Sequence, residues 1–168
     1  MSIYLLVFLL LAAGTLLEYF RPQIKTYAYW ICWAAMTGCL CFRFGQGTDY
    51  VTYQGLYETI PVAIDLSQGY ICGFYPEIGW RFKVFGAPFW IFASILGLAE
   101  MLLLHRFVKR FVQGRTAGLF MLYPVLYLVY MVSGLRQGLA VCLFLGIALP
   151  FLMERKWVAY VVTILITF

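Results

Sequence analysis

The sequence predicts an all-α fold, a polytopic bundle of transmembrane helices. Three observations carry this: 64% of the 168 residues are hydrophobic, only 11% are charged, and the apolar residues fall in long runs separated by charged junctions. A water-soluble globule is nearer half apolar and a quarter charged, whereas a helix that crosses a bilayer needs about 20 mostly apolar residues. With no internal repeat, low-complexity tract or dividing linker, 1–168 reads as a single membrane domain.

Taken in order, spans are expected at 3–20, 27–42, 84–105, 116–132 and 137–153. A sixth apolar run opens at Trp157 and reaches Phe168 after 12 residues, too few to cross. The expectation is therefore about five complete spans plus a partial sixth, from an incomplete protein. The first run has no basic segment before it and no small-residue cleavage site after it, so it reads as a retained helix and not a signal peptide. Pro88, Pro124 and Pro150 are expected to kink the last three complete spans, as polytopic proteins tolerate. The glycine pairs Gly114/Gly118 and Gly134/Gly138 are spaced for close helix contact. Cys32, Cys39, Cys41 and Cys142 lie in spans, which leaves Cys72 alone in a loop without a disulfide partner. His105 is the only histidine and no Cys/His cluster has metal spacing, so neither a metal nor another cofactor is expected.

The formal charge of +5 would suit nucleic acid, but the positive-inside rule accounts for it without one. Eight basic residues, Arg21, Lys25, Arg106, Lys109, Arg110, Arg115, Arg155 and Lys156, fall at one set of junctions. Only Arg43, Arg81, Lys83 and Arg136 fall at the other. The N-terminus is thus expected outside the cytosol, and with it the long loop 43–83.

That loop is rich in tyrosine and is expected to be ordered and docked on the outer end of the bundle. Within RFGQGTDYVTYQGLYETIP, Thr48 or Asp49 can cap a short extracytoplasmic helix that Pro61 closes. Tyr50, Tyr53, Tyr57 and Ile60 recur at helical spacing, giving an amphipathic helix expected to lie apolar side down on the membrane surface. In YPEIGWRF, Pro76 is expected to open a helix that runs on into the third span, with Glu77 and Arg81 paired one turn apart.

The stretch MVSGLRQGLAVCLFLG places an arginine and a glutamine between two apolar runs. Extending the fifth helix back to Ser133 puts Ser133, Arg136, Gln137 and Ala140 on one stripe, expected to face protein or water. Two roles fit Arg136. It can reach the headgroups or pair with Glu77 or Asp49; or, with Arg43, it can bind an anionic ligand, since the planar guanidinium donates two hydrogen bonds to adjacent phosphate oxygens. Asp49 fits a helix cap as well as a ligand-facing carboxylate. Tyr50 and Tyr53 fit an interfacial aromatic belt as well as a sugar-binding surface. Glu18, Glu100 and His105 are expected near the inner ends of their spans as interfacial anchors.

Three stretches together resemble the EpsG family of Wzy-like bacterial polysaccharide polymerases: RFGQGTDYVTY, YPEIGW and SGLRQGLAVCLF, in that order over 43–144. The resemblance implies a multi-pass protein of the bacterial inner membrane, of which this chain is the N-terminal part. It also implies polymerisation of undecaprenyl-diphosphate-linked glycan repeats outside the cytosol, for exopolysaccharide, capsule or O-antigen. The partners implied are lipid-linked oligosaccharide, membrane lipids and other polysaccharide-assembly membrane proteins. On that reading Arg136 offsets charge on the leaving diphosphate, and Asp49, or else Glu77, accepts the acceptor's proton. Arg43, Gln137, Tyr50, Tyr53 and Ser133 would bind substrate. A lipid-linked glycan ligase or transporter, and a non-enzymatic scaffold of an export system, are the competing readings. Polar groups gathered at one end of nearly clean spans favour surface chemistry over transport.

Overall fold

The computed structural model describes residues 3–47, 49–60 and 74–167. The expectations attached to Thr48, Pro61 and Cys72 lie outside the described residues. Among the described residues, and apart from a 3-10 turn at Pro22–Ile24, eight helices follow in order: α1 Ile3–Phe20, α2 Lys25–Cys41, α3 Tyr50–Thr59, α4 Phe74–Val84, α5 Phe89–Phe111, α6 Arg115–Ser133, α7 Leu135–Met153 and α8 Trp157–Thr167. No strand occurs among the described residues.

Helices α1, α5, α6 and α7 are long and apolar enough to cross a membrane. Helix α2 occupies the expected second span, but its 17 residues reach only about 25 Å at 1.5 Å per residue, the short end of the spanning range. Around a common core α1 packs on α2 and α6, α2 on α5, and α5 on α7. Leu11, Met36, Leu40, Met101, Leu104, Leu119 and Met131 are fully buried there.

Prolines shape the last two spans by widening them. Pro124 has no N–H to donate and its ring crowds the carbonyl one turn back. From Tyr123 to Ser133, α6 accordingly takes the wider π winding, and α7 does so over Phe144–Ala148, just ahead of Pro150. Pro88 acts differently. The helix expected to run from Pro76 into the third span breaks at 85–88, where Gly86 has φ +72° and Pro88 is extended as the N-cap of α5. A proline there starts a helix instead of kinking one, so α4 and α5 are separate.

The tyrosine face of α3 is present, but it covers protein and not the membrane surface. Tyr50 and Tyr57 are buried against Phe89, Phe92, Leu135 and Leu139, with Tyr53 and Ile60 packed alongside. Tyr57 stacks on Phe92 at 5.3 Å and donates to the Ala87 carbonyl at 2.7 Å. Val51 and Leu56 occupy the outward side. Ile60, which precedes Pro61, is extended (φ −60°, ψ 120°), as a residue before proline must be.

The two sets of basic residues fall at opposite ends of the bundle. At the end holding eight of them, Glu154 accepts from Arg110 (2.7 Å) and pairs with Lys156 (2.6 Å). Hydrogen bonds from Lys156 and Arg110 hold its carboxyl down at about 2. His105, expected as an interfacial anchor, sits in an aromatic box, stacked on Trp30 at 5.0 Å and bonded to the Tyr29 hydroxyl at 2.7 Å.

Glu18 at the same end does more than anchor. Its carboxylate accepts the backbone N–H groups of Arg115 (3.1 Å), Thr116 (2.9 Å) and Ala117 (3.2 Å), the first turn of α6. Those donors have no partner within their own helix, and they form the positive end of its dipole. Glu18→Ala should therefore cost about 1–2 kcal/mol, and Glu18→Gln less, in reversible denaturant unfolding of detergent-solubilised protein. Equal stability of both variants with wild type would show that the cap is idle.

Candidate functional site

At the opposite end α6 stops at Ser133 and α7 starts at Leu135, with only Gly134 between them. The last carbonyls of α6 thus lack helical partners and carry the negative end of its dipole. Arg43 fills that place. Only 2% exposed, it donates Nη1 to the Met131 carbonyl and, at 3.0 Å, to that of Val132. Gly47 follows onto the same surface with φ +98°, and a Cβ on it would stand 2.5 Å from the Val132 oxygen. Gln46 accepts from the Tyr4 hydroxyl at 2.7 Å, and Tyr123 donates to the Tyr4 carbonyl at 2.6 Å. Two stretches some ninety residues apart, RFGQG and MVSGLRQG, are in this way one packed layer.

The hairpin itself is tight. A Cβ on Gly138 would meet the Tyr130 carbonyl at 2.7 Å and the Met131 Cα at 2.9 Å, so α7 can approach α6 this closely only with glycine there. Ser133 belongs to α6, where its hydroxyl donates back to the Leu128 carbonyl at 3.2 Å. It does not share a helical stripe with Arg136, as the sequence had led one to expect, because Gly134 ends one helix before the next begins. Nor does the Arg136–Gln137 pair look inward; both residues are exposed in the first turn of α7. Among the described residues Arg136 forms no ion pair, neither with Glu77 nor with Asp49.

The two candidate carboxylates stand apart. Asp49 is exposed at the N-cap position of α3; its carbonyl accepts from Tyr53 N–H at 2.9 Å, but its side chain makes no capping bond. It lies two residues after Gly47 and so close in sequence to the contact with Ser133. Glu77 pairs with Arg81 at 3.0 Å, the expected one-turn bridge, and both are well exposed. On the same helix Gly79 packs against Tyr57 and Ile60, at the far end of α3 from Asp49. A ten-residue helix is about 15 Å long, so Asp49 lies at the α3 end next to Gly47, and Glu77 is on the helix that packs at the other end. Tyr50 is buried edge-on to Phe89 at 5.1 Å, and burial pushes its phenol above the ordinary range despite the opposing pull of Arg43. Tyr53 is half-buried beside it.

Sequence reading missed one residue. Glu100 is not at the inner end of its span but midway along α5, 0% exposed, with both oxygens lacking a hydrogen-bond partner among the described residues. A Cβ on Gly138 would come within 3.0 Å of Oε1, which puts the carboxyl against the α6–α7 hairpin. Arg43 is within its electrostatic reach, and Nε and Nη2 of Arg43 are likewise without partners among the described residues. The signal was available: a single glutamate inside FWIFASILGLAEMLLL is costly in a membrane unless something compensates it.

A buried charge left without an opposite one nearby commonly costs about 3–5 kcal/mol, and removing Arg43 also bares the Met131 and Val132 carbonyls. Arg43→Met and Glu100→Leu should each destabilise the protein strongly, and the double variant by less than the sum of the two. Denaturant unfolding of all four proteins measures the coupling; strict additivity would show that the groups act independently.

The model of the EpsG family matches residues 26–168. No curated protein and no solved structure matches the chain.

Proposed function

The chain belongs to the EpsG family, a polysaccharide-polymerase-type family of multi-pass membrane proteins, and we propose that it polymerises undecaprenyl-diphosphate-linked glycan repeats at the non-cytosolic face of the bacterial inner membrane. The observation that carries this reading is the state of Arg136. It is an exposed guanidinium with no ion pair among the described residues, in the first turn of a helix whose N-cap, Gly134, offers no side chain to the free N–H groups. Positive dipole end, unbonded amides and a bidentate cation are together suited to a diphosphate.

In the reaction the bond between the anomeric carbon of the donor and its diphosphate oxygen breaks as an acceptor hydroxyl attacks that carbon. Negative charge gathers on the diphosphate, and Arg136, carried on a turn that Arg43 holds in place, offsets it. Gln137 beside it can donate to a further oxygen. Arg43 supports the site from below: by holding the Met131 and Val132 carbonyls it fixes the turn that carries Arg136. Asp49, exposed and uncommitted to a cap, is the carboxylate to take the acceptor's proton. Glu77 is the lesser candidate because Arg81 already engages it. Tyr50 and Tyr53 would form the protein side of the sugar site.

Arg136→Ala should abolish long-chain polymer while membrane abundance stays normal, and Arg136→Lys should retain a small fraction, since a point charge replaces a fork. Asp49→Asn should also be inactive. Wild-type chain length on gels from a strain carrying either inactive variant would remove that residue from the mechanism. A ligase would instead show unchanged chain length with loss of attachment to the final acceptor.

Orientation has its own test. With the other cysteines replaced, Cys72 should react with a membrane-impermeant maleimide in intact spheroplasts. Reaction only after lysis would put the 43–83 loop, and the chemistry with it, on the cytosolic side.

A further inference from the structure

Beside the turn just described, a groove of about 680 Å³ opens between α3 and the elbow that joins α4 to α5. Its size is that of an ordinary small-molecule site. Phe44 and Trp90 stand in its wall, 55% and 46% exposed, with ring centroids 6.0 Å apart, and Tyr50 lines it from α3. Along the α3 side runs a fixed polar edge, where Gln54 Nε2 donates to Glu58 Oε1 at 2.9 Å. That leaves the amide oxygen of Gln54 and the second oxygen of Glu58 as acceptors among the described residues.

The one cation lining the groove among the described residues is already committed. Lys83 Nζ donates to the carbonyls of Tyr57 (3.2 Å), Glu58 (2.5 Å) and Ile60 (2.6 Å), closing the C-terminal end of α3 and using all three ammonium protons. A phosphate would therefore find no free positive charge here and would meet the Glu58 carboxylate. An acyl chain would bury that carboxylate against hydrocarbon, at a cost of several kcal/mol. What fits is a ligand with an apolar face to lie on aromatic rings and hydroxyl donors for the carboxylate and amide edge.

We propose that this groove is a second subsite, one that takes a neutral pyranose ring of the glycan, distinct from the Arg136 turn that takes the diphosphate. The proposal rests on the polymerase reading for the presence of a glycan and on the groove's own chemistry for its place. Trp90 and Phe44 form the stacking platform, and Gln54 and Glu58 hold the hydroxyls.

The test uses the full-length protein in nanodiscs and a defined probe, the delipidated oligosaccharide repeats released by mild hydrolysis from the host strain's own polymer. Saturation-transfer NMR should show binding to wild type and to Arg136→Ala, since the groove does not need that cation. Trp90→Ala, and separately the exposed α3 variant Gln54→Leu, should weaken it by roughly five- to ten-fold. Trp90→Phe, which keeps a ring, should stay close to wild type. Binding unchanged in both Trp90→Ala and Gln54→Leu overturns the proposal. So does quenching by bilayers of brominated phospholipid that is present in wild type and lost in Trp90→Phe, because the groove would then face lipid. If wild type makes no polymer from lipid-linked repeats yet binds the probe through Trp90, the polymerase reading fails and the subsite stands. Robust polymerisation with binding indifferent to Trp90 and Gln54 has the opposite meaning.

Discussion

Helix α6 is held at both ends by opposite charges that come from other parts of the chain. Glu18, from the end of α1, receives the free N–H groups of its first turn, and Arg43, from the turn after α2, receives the free carbonyls of its last. In water such terminal groups would be solvated; near hydrocarbon each one left bare costs several kcal/mol. The two charges also complement the helix dipole, anion at the positive end and cation at the negative end. They fix α1 and α2 against α6 along its whole length, so the register of the bundle follows from backbone chemistry as much as from packing.

This arrangement explains why a guanidinium can be buried at Arg43 and why a second one is left free at Arg136. Met131 and Val132 lie at the end of a π-wound stretch and point their carbonyls out of the helix, where Arg43 takes them. The turn they belong to then has one residue, Gly134, before α7 begins, and Gly138 lets the two helices touch backbone to backbone. Arg136 is left projecting from a turn braced on three sides, by Arg43, by Gly47 and by the opposite helix. Preorganisation of this kind is what an electrostatic role demands, since a cation that must be ordered during the reaction loses much of its effect. Arg43 of the first motif is thus committed to backbone carbonyls, while Arg136 of the third is exposed, although both are arginines expected at one end of the bundle.

Much of this was legible in the sequence because it depends on composition and periodicity. Long apolar runs became helices, the tyrosines of α3 fell on one face, Glu77 and Arg81 paired, and the basic residues separated to the two ends. What was not legible traces largely to one boundary. Reading Val84 as the start of the third span, and Pro88 as a kink within it, shifted the helix toward the N-terminus and carried Glu100 to its inner end. The break at 85–88 moves the helix to Phe89–Phe111, and the same glutamate becomes its midpoint, on the face turned into the bundle. A second boundary, Gly134, decided whether Ser133 and Arg136 share a face. Both are short-range backbone events at glycine and proline, which hydrophobic period does not register, and each reassigns the surroundings of a charged residue.

A glycan carried on a lipid diphosphate presents two unlike surfaces, a compact anion next to the membrane and an uncharged, hydroxyl-rich chain beyond it. One set of side chains cannot serve both, because cations that hold phosphate strongly are wasted on a sugar, and an aromatic platform with a carboxylate edge repels phosphate. On the proposed reading one end of this bundle offers both chemistries: Arg136, without an ion pair among the described residues, at the α6–α7 turn, and Phe44, Trp90, Gln54 and Glu58 around the groove at α3. Helix α3 joins them. Its first residues follow Gly47, which rests on the turn, and the groove wall it forms runs from Tyr50 and Val51 at that end to Glu58 near the other. Tyr50 and Tyr57 pin it to α5 at both ends, so the groove wall it carries is held against the bundle along its length of about 15 Å. On this reading α3 is a rigid wall of the sugar groove, and its tyrosines matter for holding it in place before they matter for touching any ligand.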